Sequence, residues 1–172
     1  MNALRYTPAI LIALFLFSCD SGQDDHQNQL EKSEKNWQVL KSENGESYRY
    51  QVSTSSWTGY SSITTITVLK GLVTKREFQS YLPDNEGGQE LVYSYVEEGE
   101  KIGADTEGAE PITLDELYDV CKEEYLTVDP NSNTIYFTEF DNGLVKSCGY
   151  VPQNCVDDCF FGFSLKIIEW LE

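Results

Sequence analysis

Hydrophobic and polar residues alternate over several short stretches of the chain. This two-residue period predicts β-strands, because successive side chains of a strand point to opposite faces. Lys70-Gly71 and Asn142-Gly143 separate neighbouring stretches and predict two-residue hairpin turns. The second turn would place Phe137 opposite Cys148 and Glu139 opposite Lys146. The predicted strands are 48–52, 63–69, 72–81, 134–140, a return strand from 144, and 160–170; residues 91–96 fit either a strand or part of a helix.

Two other segments have helical spacing. Residues 30–42 carry Leu30, Trp37 and Leu40 at helical intervals, and Asn44-Gly45 follows as a C-cap signal. The second helix opens at Thr113, which forms a capping-box pattern with Glu116 three residues later. Its apolar residues fall on one face, which we expect to pack on a sheet: Leu114, Leu117, Tyr118, Cys121 and Tyr125.

The order of these elements predicts an α+β fold over residues 30–172. An antiparallel β-sheet would be packed by an N-terminal helix and one central helix and stabilised by disulfides. Residues 83–90 and 97–111 are rich in glycine and acidic residues and are predicted to be solvated loops. The single domain is therefore expected to combine a hydrophobic core with long acidic connections.

Charge excludes one class of partner. The 172 residues include 12 Lys and Arg against 29 Asp and Glu, a formal charge of −17. A nucleic acid is not an expected partner, because so few cations cannot neutralise a run of phosphates. Hydrophobic residues make up 40% of the chain, which is too many for a fully disordered protein.

The first residues have the features of a secretory signal. Residues 1–18 combine Arg5 with an apolar run over 9–17, which is too short to span a bilayer, since a spanning helix needs about 20 residues. Leu16-Phe17-Ser18-Cys19 resembles the lipobox of bacterial lipoproteins. The resemblance implies cleavage before Cys19, diacylglycerol on its thiol, and acylation of the new amine. A lipid anchor in the cell envelope is the expected membrane attachment, because anionic headgroups would repel this acidic chain.

Residues 19–29 are polar and predict a flexible acidic tether. Asp20, directly after the lipidated cysteine, resembles the inner-membrane retention signal of enteric bacteria. Gln23-Asp24-Asp25 resembles the surface-export signal of Bacteroidetes lipoproteins. A spacer with no sorting role is the third reading. The destination stays open between the inner membrane and either face of the outer membrane. His26 has no fixed partner on a tether, which argues against a catalytic role.

The four remaining cysteines predict two disulfides, because exported proteins fold in an oxidising compartment. Cys121 lies on the inward face of its helix and Cys148 on the inward face of its strand, so these two can meet. Cys155 and Cys159 then close a short loop. The spacing of Cys148, Cys155 and Cys159 does not match a zinc site, and Cys155-x-x-x-Cys159 beside two aspartates does not favour a reactive thiolate.

A Ser- and Thr-rich segment, residues 53–62, contains the candidate binding residues Trp57 and Tyr60. Aromatic side chains on a loop can anchor a partner. The alternative is that Trp57 folds back as a lid on the core. The sequence leaves both open.

Carboxylates offer the other candidate chemistry. Asp157-Asp158 could act as paired carboxylates in hydrolysis. Residues 129–133 begin like a calcium loop, but Thr134 stands where that pattern needs glycine, so a turn is the better reading. No phosphate loop, Gly-x-Ser-x-Gly or His-Glu-x-x-His motif occurs in the sequence. No cofactor or metal is expected.

The domain resembles a family of uncharacterised bacterial lipoprotein domains. The resemblance rests on Trp37, Tyr48-x-Tyr50, the helix start at residues 113–118 and the C-terminal hairpin; residues 77–110 and the cysteine-rich end depart from it. It implies a fold and no activity. We therefore expect a non-enzymatic, membrane-anchored domain that binds another envelope protein. The alternatives are an inhibitor of an envelope enzyme and a carboxylate-dependent hydrolase.

Overall fold

Seven antiparallel strands form one sheet within the described residues, in the order β4-β3-β2-β1-β7-β6-β5. The computed structural model describes the backbone of residues 21–172 and the side chains of residues 25–172. The predicted signal peptide and Cys19 lie outside the described residues. The strands are β1 (Tyr48–Ser55), β2 (Ser61–Leu69), β3 (Leu72–Pro83), β4 (Gln89–Glu98), β5 (Asn133–Glu139), β6 (Val145–Pro152) and β7 (Phe161–Trp170).

Two helices accompany the sheet. Helix α1 spans Ser21–Asn44, and helix α2 spans Leu114–Val120 and continues as a π-helical turn over Cys121–Tyr125. The predicted capping box is present, because Thr113 Oγ1 accepts from the Glu116 N–H and the Glu116 carboxylate accepts from the Thr113 N–H. None of the described helices is long and apolar enough to cross a membrane.

The coarse prediction of an antiparallel sheet with two helices and disulfides is confirmed. The segment left open at 91–96 lies within strand β4. The second hairpin departs from its predicted register: Phe137 does oppose Cys148, but Glu139 opposes Val145 instead of Lys146. Gly143, at φ +76°, and the bond from the Phe140 N–H to the Leu144 carbonyl (2.8 Å) show why. The loop has three residues, and a bulge compensates for the extra one.

Helix α1 is longer than the predicted helix. It includes residues 21–29, which the sequence analysis placed in a flexible tether, so that prediction is wrong for the backbone of these residues. A run of polar residues does not by itself exclude a helix.

The core lies between the helices and one face of the sheet. Trp37 of α1 is fully buried, with its ring stacked on Trp170 (5.3 Å between centroids) and edge-on to Tyr48 (5.0 Å). The Cys121–Cys148 disulfide joins the π-helical turn to β6. The Tyr118 hydroxyl lies 2.8 Å from Ser33 Oγ and accepts a bond from the Val145 N–H (3.0 Å). One tyrosine therefore links α2 to α1 and to the sheet.

Candidate binding cleft

The predicted binding loop is the connection between β1 and β2. Ser56 closes it, because its N–H donates to the Tyr60 carbonyl (2.8 Å) and its Oγ accepts from the Thr58 N–H (3.3 Å). Gly59 has φ +87°, and a Cβ added there would collide with the ring of Pro83, so the turn requires glycine. Trp57 is 75% exposed. It points into solvent, and the alternative of a lid on the core is wrong.

A second loop lies beside the first. Cys155 and Cys159 are joined by the disulfide expected from the sequence, and residues 156–158 form the tip. The Asp158 carboxylate accepts a bond from Ser56 Oγ (2.5 Å) and one from the Trp57 N–H (3.3 Å). Asp158 therefore holds the two loops together and sets the position of the Trp57 backbone.

The two loops border a cleft of about 1010 Å³. Its lining combines aromatic rings with many hydroxyl groups and a few charges. Asp157, Asp158 and Lys166 supply the charges, and Tyr60, Tyr81, Phe160 and Phe163 supply the rings. Trp57 is not among the lining residues and belongs to the exposed rim.

The cleft exists because two neighbouring strands separate. Strands β1 and β7 pair as far as Val52↔Leu165, with a register shift next to Val52. Strand β1 continues to Ser55 and there pairs only with β2, whereas β7 begins at Phe161 and there pairs only with β6. Side chains from both faces of the sheet consequently line the same cavity, as expected for a gap between strands.

Two glycines draw β7 toward β6 at this point. Gly149 and Gly162 are register partners, and a Cβ on Gly162 would collide with the Cys148 carbonyl. The close approach of the two backbones requires glycine at both positions. The disulfide joins Cys148 of β6 to the π-helical turn. The start of β7 stays paired with β6 here and leaves β1.

Residues 102–110, here called the strap, cross the inner face of β2 and β3. The prediction of a solvated loop for this acidic segment is confirmed, because most of its residues are exposed. The sequence did not predict that the sheet holds the backbone of this loop. Arg76 of β3 holds the strap through three backbone carbonyls: Nε donates to Ala109 (2.9 Å), Nη1 to Asp105 (3.0 Å), and Nη2 to Glu107. Arg76 also forms an ion pair with Glu97.

Glu97 completes the attachment of the strap. Its carboxylate accepts from the N–H of Gly103 (2.9 Å) and of Asp105 (2.6 Å). Burial alone would raise the pKa of Glu97, but these two bonds and the Arg76 guanidinium outweigh it and hold that pKa below its ordinary value. Glu97 is therefore a charged carboxylate at neutral pH, matched to Arg76.

Two tyrosines of β4 also contact the strap. Tyr95 donates to the Glu107 carbonyl (2.5 Å), and Tyr93 donates to the Asp105 carboxylate (2.8 Å). Burial raises the pKa of Tyr95 to about 12, although nearby Arg76 acts in the opposite direction. The bond to Asp105 is the main cause of the raised pKa of Tyr93. Both phenols stay protonated and act as donors near neutral pH.

The strap forms one wall of a second cavity of about 410 Å³. This cavity lies between the strap residues Gly108 and Ala109 and the ring of Tyr125 on the π-helical turn. Tyr60 and Phe163 line both cavities. Tyr60 therefore stands where the two spaces adjoin.

Asp129 and His26, which the sequence analysis also considered, do not line the cleft. Asp129 accepts bonds from the N–H of Asn131 and the hydroxyl of Ser132, so its segment is a turn. The bond from the Asn131 N–H is the main reason that the pKa of Asp129 lies below its ordinary value. His26 lies on α1, its Nδ1 buried without a hydrogen-bond partner among the described residues. Within the part of the chain described, no group of His, Cys, Asp or Glu could hold a metal ion.

The separation of β1 from β7 and the role of Arg76 were not predicted from the sequence. Arg76 lies on the same buried face of β3 as Phe78 and Ser80. A charged residue at a position that the alternation assigns to the core was the one sequence feature that could have indicated its role. No comparable signal marks the gap, since it depends on a bulge and a glycine pair in strands far apart in sequence.

Comparisons with known proteins identify no relative. No protein-family model matches this chain, no curated protein matches it, and no solved structure matches it.

Proposed function

We propose that this protein is a lipid-anchored binding protein of the bacterial cell envelope, and that the cleft between β1 and β7 is its binding site. One observation carries the proposal. A cleft of about 1010 Å³ lies beside an exposed tryptophan, and Asp158 and a disulfide fix the loops that border it. Binding sites combine concave shape, aromatic surface and a few polar groups in this way, and fixed loops lower the entropy lost on binding.

The envelope location rests on the sequence and on the disulfides. The apolar run, the lipobox resemblance and Cys19 imply export and acylation. Two disulfides fit an oxidising compartment outside the cytoplasm. The proposal takes residues 30–172 as the binding domain, with α1 as its N-terminal helix. The proposal also includes the resemblance to uncharacterised lipoprotein domains. Three residues on which that resemblance rests have structural roles, since Trp37 and Tyr48 pack in the core and Thr113 caps α2.

The binding surface is tested by affinity capture from solubilised envelopes of the cells that produce the protein. The double variant Trp57→Ala/Tyr60→Ala removes the exposed indole at the rim of the cleft and the phenol ring that lines both cavities. Leu72→Ala is the matched control, because Leu72 is 70% exposed and begins β3, at the hairpin on the opposite end of β2 from the loop. The control should capture the same proteins as the wild type, and the double variant should lose them. Unchanged capture by the double variant would discard this surface.

A carboxylate-dependent hydrolase is the second candidate, because Asp157 and Asp158 both line the cleft. Asp158 is engaged with Ser56 and the Trp57 N–H, which leaves Asp157 as the group available for chemistry. The test is hydrolysis of a panel of nitrophenyl glycosides and esters by the wild type and by Asp157→Asn. Turnover by the wild type that the variant lacks would favour the enzyme over the binding protein.

A further inference from the structure

The cleft is bordered by strand edges as well as by side chains. Directly after β1, the Ser56 N–H donates to the Tyr60 carbonyl on the β2 side. Directly before β1, the Ser47 carbonyl accepts from the Leu171 N–H on the β7 side. Backbone groups of an antiparallel strand alternate between its two neighbours. Ser53 and Ser55 therefore direct their backbone groups away from β2 and toward the gap.

The opposite strand presents a matching edge. The backbone N–H and C=O groups of Val52 point toward β2. Val52 and Leu165 are therefore opposite each other without hydrogen bonds between them. The backbone groups of Leu165 consequently point toward β6. By the same alternation, Ser164 and Gly162 point toward the gap. Ser53 and Ser164 come directly after the last pair of β1 with β7, which is Val52↔Leu165, whereas Ser55 and Gly162 lie three residues beyond that pair.

These four residues all line the cleft of about 1010 Å³. No described strand pairs with β1 at Ser55 on the side away from β2, or with β7 at Gly162 on the side away from β6. A strand edge with open N–H and C=O groups is a template for another strand. Here two such edges face each other across one cavity.

From this geometry we infer that the cleft binds a short extended peptide segment of a partner protein, which adds as a strand between β1 and β7. The inference rests on the proposed function and names the ligand class of the same cleft. Backbone hydrogen bonds to Ser55 and Gly162 would supply affinity, and pockets for alternate side chains would supply specificity.

The two faces of the gap predict the peptide's side chains. Toward the inner face a peptide residue meets Val52, Phe163 and Tyr60, which favour an apolar side chain. Toward the outer face it meets Ser164 and Lys166, which favour a polar or acidic one. The expected ligand therefore alternates apolar and polar residues.

Amide hydrogen exchange tests the inference on the wild-type, full-length protein in detergent. The probe is a peptide selected from a displayed library of random decapeptides. Added peptide should slow exchange at Ser55 and Gly162 by about tenfold or more, the order expected for one new hydrogen bond each. Exchange at Thr54 and Phe163, whose N–H groups already face β2 and β6, should stay unchanged. Protection without this alternation would overturn strand addition.

A variant gives a second, independent readout. Ser55→Pro removes the N–H that faces the gap and should weaken peptide binding by about tenfold, whereas Ser55→Ala should bind within about twofold of the wild type. If Ser55→Pro is misfolded by circular dichroism, the exchange pattern of the wild type decides.

The remaining outcomes separate this inference from the proposed function. If the library yields no ligand, or if chitotetraose protects the cleft and peptides do not, the inference fails while envelope capture through Trp57 and Tyr60 still supports the proposed function. If the double variant Trp57→Ala/Tyr60→Ala also keeps its partners, both fail.

Discussion

Arg76 and Glu97 form an ion pair (3.1 Å) beneath the strap, with side chains only 3% and 6% exposed. They are register partners on β3 and β4, so the pair adds a side-chain link to the backbone pairing. Together they engage the backbone of the strap at Gly103, Asp105, Glu107 and Ala109. The strap in turn forms one wall of the cavity next to Tyr60.

Arg76→Ala should release the strap. It leaves the Glu97 charge buried without its partner, a change that typically costs about 3–5 kcal/mol. Chemical denaturation should show that loss, and amide exchange should accelerate most over residues 102–110. Lys75→Ala is the control, because Lys75 is the adjacent cation on the outer face and should change the free energy of unfolding little.

Stability should fall in acid partly through Glu97. Its pKa in the folded protein lies below the ordinary value of 4.5. The stabilisation is therefore complete above that value and is lost as pH falls through the folded pKa. The free energy of unfolding, measured from neutral to strongly acidic pH, should fall less steeply for Glu97→Gln than for the wild type. Parallel curves for the two proteins would contradict this account.

Tyr118→Phe tests the link between α2, α1 and the sheet. The phenylalanine keeps the ring but leaves the Val145 N–H and Ser33 without the hydroxyl that both contact. A buried group without its partner costs about 1–3 kcal/mol, so the free energy of unfolding should drop by that amount. An unchanged free energy of unfolding would show that the Tyr118 hydroxyl makes no net contribution to stability.

The Cys121–Cys148 disulfide should stabilise the domain substantially. It closes a loop of 27 residues in sequence separation, for which chain entropy gives about 3–4 kcal/mol. The double variant Cys121→Ala/Cys148→Ala should unfold at a correspondingly lower denaturant concentration. The control is Cys155→Ala/Cys159→Ala, whose separation of 4 residues predicts a smaller loss.

Lipidation is a separate prediction. Cys19→Ala removes the thiol that would carry the diacylglycerol, so the protein should leave the membrane fraction, because its acidic surface gives no attraction to anionic lipids. Fractionation of cells and mass spectrometry of the amino terminus measure this. Continued membrane retention of the variant would contradict the anchor.

Local signals in the sequence predict local structure well here. The capping box at Thr113, the alternation in the strands, and the inward parity of Cys121 and Cys148 each report on one element or one contact. These signals led to the two helices, most of the sheet and the disulfide pairing.

The features that the sequence did not predict, the attachment of the strap and the cleft, share another cause. The strap is acidic and glycine-rich, and its position depends on Arg76, a residue of a strand well before it. The cleft depends on a shift beside Val52 and on the Gly149–Gly162 contact, which act together only in the folded sheet. Trp57 could be assigned to the rim only once its exposure was known.

Site-specific photo-crosslinking in intact cells tests the binding cleft most directly. A photoreactive phenylalanine analogue replaces Tyr60 in one strain and Leu72 in another. The account predicts a discrete adduct with a partner protein from position 60 and none from position 72. No adduct from position 60, or the same adducts from both positions, would contradict it.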